Sequence, residues 1–213
     1  MAKTVTAAEM KERERAANEA GLLYIQMMEN AGRAAYAELK RRVPALRRLL
    51  IVAGKGNNGG DGFVMARVAA KEGVQVRVLL AEGEPKTADA KTNLARLAET
   101  AAEVVRDTEQ AAFGADAVVD ALYGTGFHGE LRPDGAAACA LMGRERERGA
   151  FVLALDLPSG VCADGGEVAE GAVQADATVT FDCTKPLHFA KASKPLCGAL
   201  VCADIGIGKA LGE

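Results

Sequence analysis

The chain contains no tryptophan, only two histidines (His128 and His188), and aromatic residues at 4% of its length. Two imidazoles are little material for a transition-metal centre or a histidine proton relay. The five cysteines, Cys139, Cys162, Cys183, Cys197 and Cys202, are odd in number and no two stand at C-x-x-C spacing. That disfavours a zinc or thioredoxin-type site, and the thiols read as buried or idle and reduced. No apolar run approaches the roughly 20 residues that cross a bilayer, and the N-terminal MAKTVTAAEMKERER lacks a signal-peptide apolar core. No membrane span and a cytoplasmic location are therefore expected. Nor is there an excess of one charge: 26 Lys and Arg stand against 29 Asp and Glu, for a net −3. Such a surface has no broad field for phosphate backbones, so nucleic acid is not an expected partner. Without a Pro- or Ser-rich linker, low-complexity tract or internal repeat, residues 1–213 are expected to form one domain.

What the chain does have is glycine, 24 residues of it, and regular apolar patterning. Residues 4–42 read as an N-terminal helical extension, with Thr6 or Thr4 as N-cap and Leu22, Ile25, Met28, Ala31 and Ala35 recurring at three- and four-residue steps. Gly21 is expected to split the stretch in two. From residue 49 short apolar runs alternate with helical stretches. The strand candidates are LLIVAG, VQVRVLLAEG, ADAVVDALYG, AFVLALDLPSG, ADATVTFDC and GALVCADIGI, within a total of about seven. Helices are predicted after the first of them and at 87–100, 109–114 and 134–148. This alternation predicts an α/β fold with a mainly parallel sheet and helices on both faces.

Three predicted strand ends carry polar or glycine-rich loops: Gly54 to Gly62, Asp120 to Gly129, and Asp156 to Gly160. Ligands of open parallel sheets bind at the carboxyl ends of strands, so these loops can share one site if their strands are neighbours. Gly54, Gly56 and Gly59 satisfy G-x-G-x-x-G, a pattern that presents backbone N–H groups to a pyrophosphate but also arises wherever a strand turns tightly into a helix. Asn57, Asn58 and Asp61 add side-chain amides and a carboxylate. The second loop repeats the spacing at Gly124, Gly126 and Gly129, with Thr125 and His128 as donors, and two such loops favour a nucleotide-like ligand.

Asp120 and Asp156 each end an apolar run, where a partly desolvated carboxylate needs a partner. Asn58, Asp120 and Ser159 form a hard-oxygen set suited to an alkali or alkaline-earth cation, and equally Asp120 and Ser159 can serve as loop caps on free N–H groups. Asp156, before the rigidifying Pro158, is placed to move a proton, the alternative being a strand-end cap. Lys185 reads as a solvated turn lysine, the alternatives being phosphate neutralisation or tuning of Asp156. His128 reads as a ligand contact or a loop cap, and His188 as packed or solvent-tipped.

Six ordered segments, MENAGRAA (28–35), GKGNNGGDGFVMAR (54–67), VVDALYGTGFHGELR (118–132), LALDLPSGVCADGG (153–166), ADATVTF (175–181) and VCADIGIG (201–208), resemble those of the NAD(P)H-hydrate epimerases, the YjeF-type N-terminal domain. The resemblance implies a Rossmann-like three-layer α/β sandwich, often dimeric, that interconverts the R and S forms of hydrated NADH and NADPH. It implies one potassium ion per subunit on Asn58, Asp120 and Ser159. Ligand contacts carry over to Asn57, Asn58, Gly59, Gly60 and Asp61, to Gly124, Thr125, Gly126, Phe127, His128, Gly129 and Glu130, and to Asp156. The segment FDCTKPLHFAKASKP departs from the glycine-containing turn with a lysine of many relatives. The dehydratase domain that many bacterial members carry behind this one has no counterpart here, which implies a separate dehydratase as functional partner and either a stand-alone epimerase or a shortened chain. Two other readings stay in view. One is a catalytically silent nucleotide-binding or protein-interaction scaffold of the same fold. The other is a nicotinamide oxidoreductase using the first glycine loop, with Glu82 on the ribose.

Overall fold

The computed structural model describes residues 3–213. Its first helix, α1 (Ala7–Glu19), starts at Thr6, whose hydroxyl accepts from the Glu9 N–H while the Glu9 carboxylate accepts from the Thr6 N–H. This reciprocal capping satisfies two donors that a helix start leaves free. After the break at Gly21 the chain forms α2 (Tyr24–Arg42), which buries Met28, Ala31, Ala35 and Leu39 on one face and turns Lys40, Arg41 and Arg42 to the last turn, as the helix dipole favours.

The alternating region gives β1 (Arg48–Ala53), α3 (Asn57–Lys71), β2 (Gln75–Leu80), α4 (Ala88–Ala95), β3 (Glu103–Val105), α5 (Thr108–Ala111), β4 (Ala117–Ala121), α6 (Pro133–Glu147), β5 (Phe151–Leu155), β6 (Ala177–Phe181), β7 (Ala199–Ala203) and α7 (Ile207–Ala210). All described ladders of the seven-stranded sheet are parallel, in the order β3-β2-β1-β4-β5-β6-β7. Leu49, Ile51, Val119, Leu153 and Val179 face one layer, with α2 and α3; Leu50, Val52, Val118 and Val152 face the other, with α6. Successive side chains alternate across a strand, so strands apolar at every position must be covered on both sides, and three layers result.

The expected fold is thus present, with local differences. Edge strand β3 has three residues, too few for a legible alternation. The helix predicted at 87–100 leaves α geometry after Ala95 and finishes as a 3₁₀ turn at Arg96–Glu99. That predicted at 109–114 is the single turn α5, because Gly114 and the approach to β4 leave no room for more.

Strand order fixes where a ligand can go. The winding reverses between β1 and β4, and β1, β4 and β5 are successive neighbours with Val52 opposite Asp120 and Asp120 opposite Ala154. The carboxyl ends of three chain-distant segments therefore open into one crevice, as a topological switch point requires.

Candidate functional site

The crevice is a cleft of about 720 Å³ lined by Gly56, Asn57, Asn58 and Asp61 from the first loop, Leu122 to His128 and Glu130 from the second, and Asp156 from the third. The three loops meet as the spacing predicts. The glycines divide into two kinds. A Cβ on Gly54 would collide with the Leu122 carbonyl, and one on Gly59 with the Gly54 carbonyl, so these positions let the ends of β1 and β4 close together. Gly56 meets nothing and is open. Gly59 and Gly60 do not line the cleft. Both are buried, Gly60 against Met28, and the Gly60 N–H is directed at the Gly56 carbonyl. Both glycines serve the packing of α3. Gly129 likewise lines an adjoining groove of about 1130 Å³, which meets the cleft at the exposed His128 and Glu130.

At the base of the second loop Asp120 is fully buried. It accepts from the Ser159 hydroxyl at 2.6 Å, the Ser159 N–H at 2.7 Å and the Leu122 N–H at 3.3 Å. Ser159 Oγ in turn accepts from the Tyr123 N–H at 2.9 Å, and Asn58 Nδ2 donates to the Tyr123 carbonyl at 2.9 Å. Loop capping is therefore real, and Asn58, Asp120 and Ser159 are linked through Tyr123. Capping leaves the charge unanswered. Among the described residues no cationic side chain pairs with Asp120, and burial raises its carboxyl to about 6 despite those hydrogen bonds. A buried carboxylate with only neutral donors, next to an amide and a hydroxyl oxygen, fits a hard monovalent or divalent cation. Among the described residues no group of three or more His, Cys, Asp or Glu side chains is placed to hold one metal ion.

Asp156 sits just past β5 with φ of 66°. Its carboxylate accepts from Lys185 Nζ at 2.6 Å and from the Thr180 hydroxyl at 2.9 Å. Lys185 is only 1% exposed, which corrects its reading as a solvated turn lysine. It follows β6, the sheet neighbour of β5, so its loop folds over the end of β5 instead of out into water. Burial pushes the Asp156 carboxyl up, but Lys185 and Thr180 outweigh it and hold the group below the ordinary carboxylate range. His188 is packed: its Nδ1 accepts from the Lys185 N–H at 2.9 Å, so Nε2 carries the proton toward the Asp156 carbonyl, 3.0 Å away. Burial lowers its pKa and keeps the ring neutral.

Met10 and Glu14 of α1, together with Lys55, Lys86, Thr87, Arg132 and Phe181, also line the cleft, none of them expected as a site residue. Asp61, partly open to the cleft, is pushed well up by burial, with Asp156 and Glu14 adding repulsion. Glu82 accepts the Tyr123 hydroxyl at 2.7 Å, and the Tyr123 ring stacks on Phe127 with centroids 5.0 Å apart. The carboxylate that an oxidoreductase would use for a ribose here fastens the second loop to the end of β2.

Fold and site together define a doubly wound α/β protein with an open cleft at its switch point. The chain belongs to the family described as YjeF-related protein N-terminus, whose model matches residues 24–187. It is 40% identical to the NAD(P)H-hydrate epimerase of Pirellula staleyi over 206 residues, covering 91% of this chain and 87% of that one. It is 36% identical to the bifunctional NAD(P)H-hydrate repair enzyme Nnr of Coxiella burnetii, covering 94% of this chain but 41% of the relative, so it spans about two-fifths of such two-function proteins. The crystal structure of yeast ynu0 (YNL200c) superposes with a TM-score of 0.77 at 20% identity, over 95% of this chain and 88% of that one, and supports the fold. No helix among the described residues is long and apolar enough to cross a membrane.

Proposed function

We propose that this chain is an NAD(P)H-hydrate epimerase, an isomerase that interconverts the R and S forms of hydrated NADH and NADPH (NADHX and NADPHX) in cytoplasmic metabolite repair. The observation that carries the reading is the Asp156–Lys185 pair at the mouth of β5, a carboxylate held ionised beside a cleft large enough for a nucleotide. Relatives named for this activity support it.

The reaction needs little machinery. C6 of the hydrated ring carries a hydroxyl and is bonded to the ring nitrogen, so loss of that hydroxyl leaves a cation that the nitrogen lone pair stabilises, and water can return on the other face. Proton transfer to the leaving oxygen and from the entering one speeds both halves. Asp156 is the group assigned to proton transfer. Its pairing with Lys185 makes the resting form the carboxylate, which stabilises the developing ring cation and accepts the proton of the entering water. Backbone N–H groups at Asn57 and Asn58, where α3 begins, and the Gly124 to Gly126 loop suit the pyrophosphate. Asn58, Asp120 and Ser159 would hold one potassium ion per subunit. When bound, that ion supplies positive charge to the buried Asp120 and the neighbouring ligand-binding loops. A homodimer, and a separate dehydratase consuming the S form, complete the proposal.

The test mixes the purified chain, in potassium buffer, with epimer-enriched NADHX and follows the R/S ratio by chromatography. Acceleration over buffer, abolished in Asp156→Asn with ligand affinity retained, is the expected result. No acceleration by the unaltered chain would favour the silent scaffold, and near-normal turnover by Asp156→Asn would remove that residue from the mechanism.

A further inference from the structure

We infer that Glu14 of α1 is a second catalytic residue of this cleft, the proton donor to the hydroxyl that leaves C6, working with the Asp156 carboxylate; the inference rests on the epimerase reading. Helix α1 lies wholly before the stretch that the family model matches, yet it forms a wall of the cleft through Met10 and Glu14. Those two residues stand four apart and so share one helix face.

The helix is tied to the loops that carry the site. The Thr4 and Thr184 hydroxyls are 2.8 Å apart, and the Val5 N–H donates to the Thr184 carbonyl at 2.9 Å. The Ala7 N–H donates to Asp164 at 2.7 Å. Arg13 reaches Asp182 at 2.9 Å and Glu213 at 2.7 and 2.9 Å. Asp182 and Thr184 stand just before Lys185 in the chain, so α1 is tied to the segment that delivers the Asp156–Lys185 pair.

Within α1 the carboxyls behave differently. Glu9 caps the helix start, and Glu12 and Glu19 both pair with Arg15 on the exposed side. Glu14 alone has no hydrogen bond or ion pair among the described residues, although it is only partly exposed and turned to the cleft. Asp61 of α3, Asp156 at the end of β5 and Lys185 after β6 line the same cleft as Glu14, and the charges of Asp182 and of Lys11 on its own helix also reach it. Lys185 is spoken for by Asp156 at 2.6 Å. Burial and the nearby Asp156 accordingly push the Glu14 carboxyl up. Two carboxyls whose surroundings drive their proton affinities apart are the pattern of an acid and a base sharing one reaction.

The step balances without a redox partner. Glu14 gives its proton to the C6 hydroxyl, the C6–O bond breaks, and water departs as the nitrogen lone pair forms C=N⁺. A second water bonds to C6 from the other face, the π pair returns to nitrogen, and the water's proton passes to Asp156. Exchange with solvent moves that proton back to Glu14. The reverse epimerisation uses Asp156 in its protonated form as donor and ionised Glu14 as acceptor.

The experiment compares wild type, Glu14→Gln, Glu14→Asp and Asp156→Asn by steady-state kinetics on epimer-enriched NADHX across pH, with melting curves for each. We expect kcat of Glu14→Gln to fall about 100-fold or more with KM changed less than about threefold. The alkaline fall of the wild-type rate, where Glu14 loses its proton, should disappear in Glu14→Gln, and Glu14→Asp should recover part of the rate. A folded Glu14→Gln with wild-type kcat, a change in KM alone, or an unaltered alkaline limb would overturn the assignment while leaving the epimerase reading intact. A wild-type chain inactive under all conditions defeats that reading first. If Glu14→Gln does not fold, the pH profile of Glu14→Asp decides: an alkaline limb unmoved from wild type overturns the assignment.

Discussion

Lys185→Met removes the charge that answers Asp156 while keeping the length and apolar stem of the buried side chain. Removing one partner of a buried ion pair costs about 3–5 kcal/mol, because the other charge is left desolvated. Asp156 keeps its 2.9 Å bond from Thr180 and is 14% exposed, so the low end, about 3 kcal/mol, applies where the carboxylate stays ionised. Protonation offers an escape, after which only a hydrogen bond and some packing are missing, about 1 kcal/mol. The two proteins therefore respond to pH in opposite senses. In wild type the Asp156 pKa is lowered on folding, so its contribution is present above the unfolded value near 3.9 and is lost as pH falls through the folded one. In the variant, burial without Lys185 raises the folded pKa, so stability is retained below the unfolded value and lost as pH rises through the raised one. The gap between the proteins must widen from pH 4 to pH 8. Urea denaturation at pH 4.5 and pH 8 reads it directly, and at about 2–4 °C per kcal/mol the melting point at pH 8 should drop roughly 6–12 °C. Adding Asp156→Asn to the variant should return much of the loss. A penalty below 1 kcal/mol at pH 8, or one that is larger at pH 4.5, would refute the account of the pair.

Two further outcomes are expected. Gly54→Ala forces a methyl into the Leu122 carbonyl, backbone against side chain with nothing flexible to yield, and should cost about 4 kcal/mol or more, seen as lost soluble yield or a collapsed melting curve; a loss under 1 kcal/mol would contradict the close approach of β1 and β4. Potassium chloride should raise the melting point above choline chloride at equal ionic strength, by an amount corresponding to about 2.7 kcal/mol at 100 times the dissociation constant, and Asp120→Asn should abolish the difference. Equal melting in both salts would remove the cation from the site.

Much of this architecture was readable because period and punctuation agree. Apolar runs ending in Gly54, Asp120 and Asp156 announce strands and their carboxyl-end loops, and parallel winding brings such loops to one edge. What the pattern could not express were pairings made across the sheet. Lys185 looks like a turn lysine until β6 is known to lie beside β5, and only then does its ammonium meet Asp156. Glu14 sits in KERERAANE, a charged helix whose other acids do face solvent, so nothing local distinguishes the one turned inward. Gly59 and Gly60 show the converse: their spacing fits a phosphate loop, yet their missing side chains make space for Gly54 and Met28. The edge strand β3 was too short to carry any period.

The left-handed backbone at Asp156, φ of 66°, narrows the ways in which this domain can change its trade. Asp and Asn are the side-chain-bearing residues that visit that conformation at low cost. A lineage drifting away from catalysis can thus exchange one for the other without disturbing the turn, discarding the charge and keeping the cleft. On the proposed mechanism, the residue at this position would mark a silent descendant of the fold from a working one.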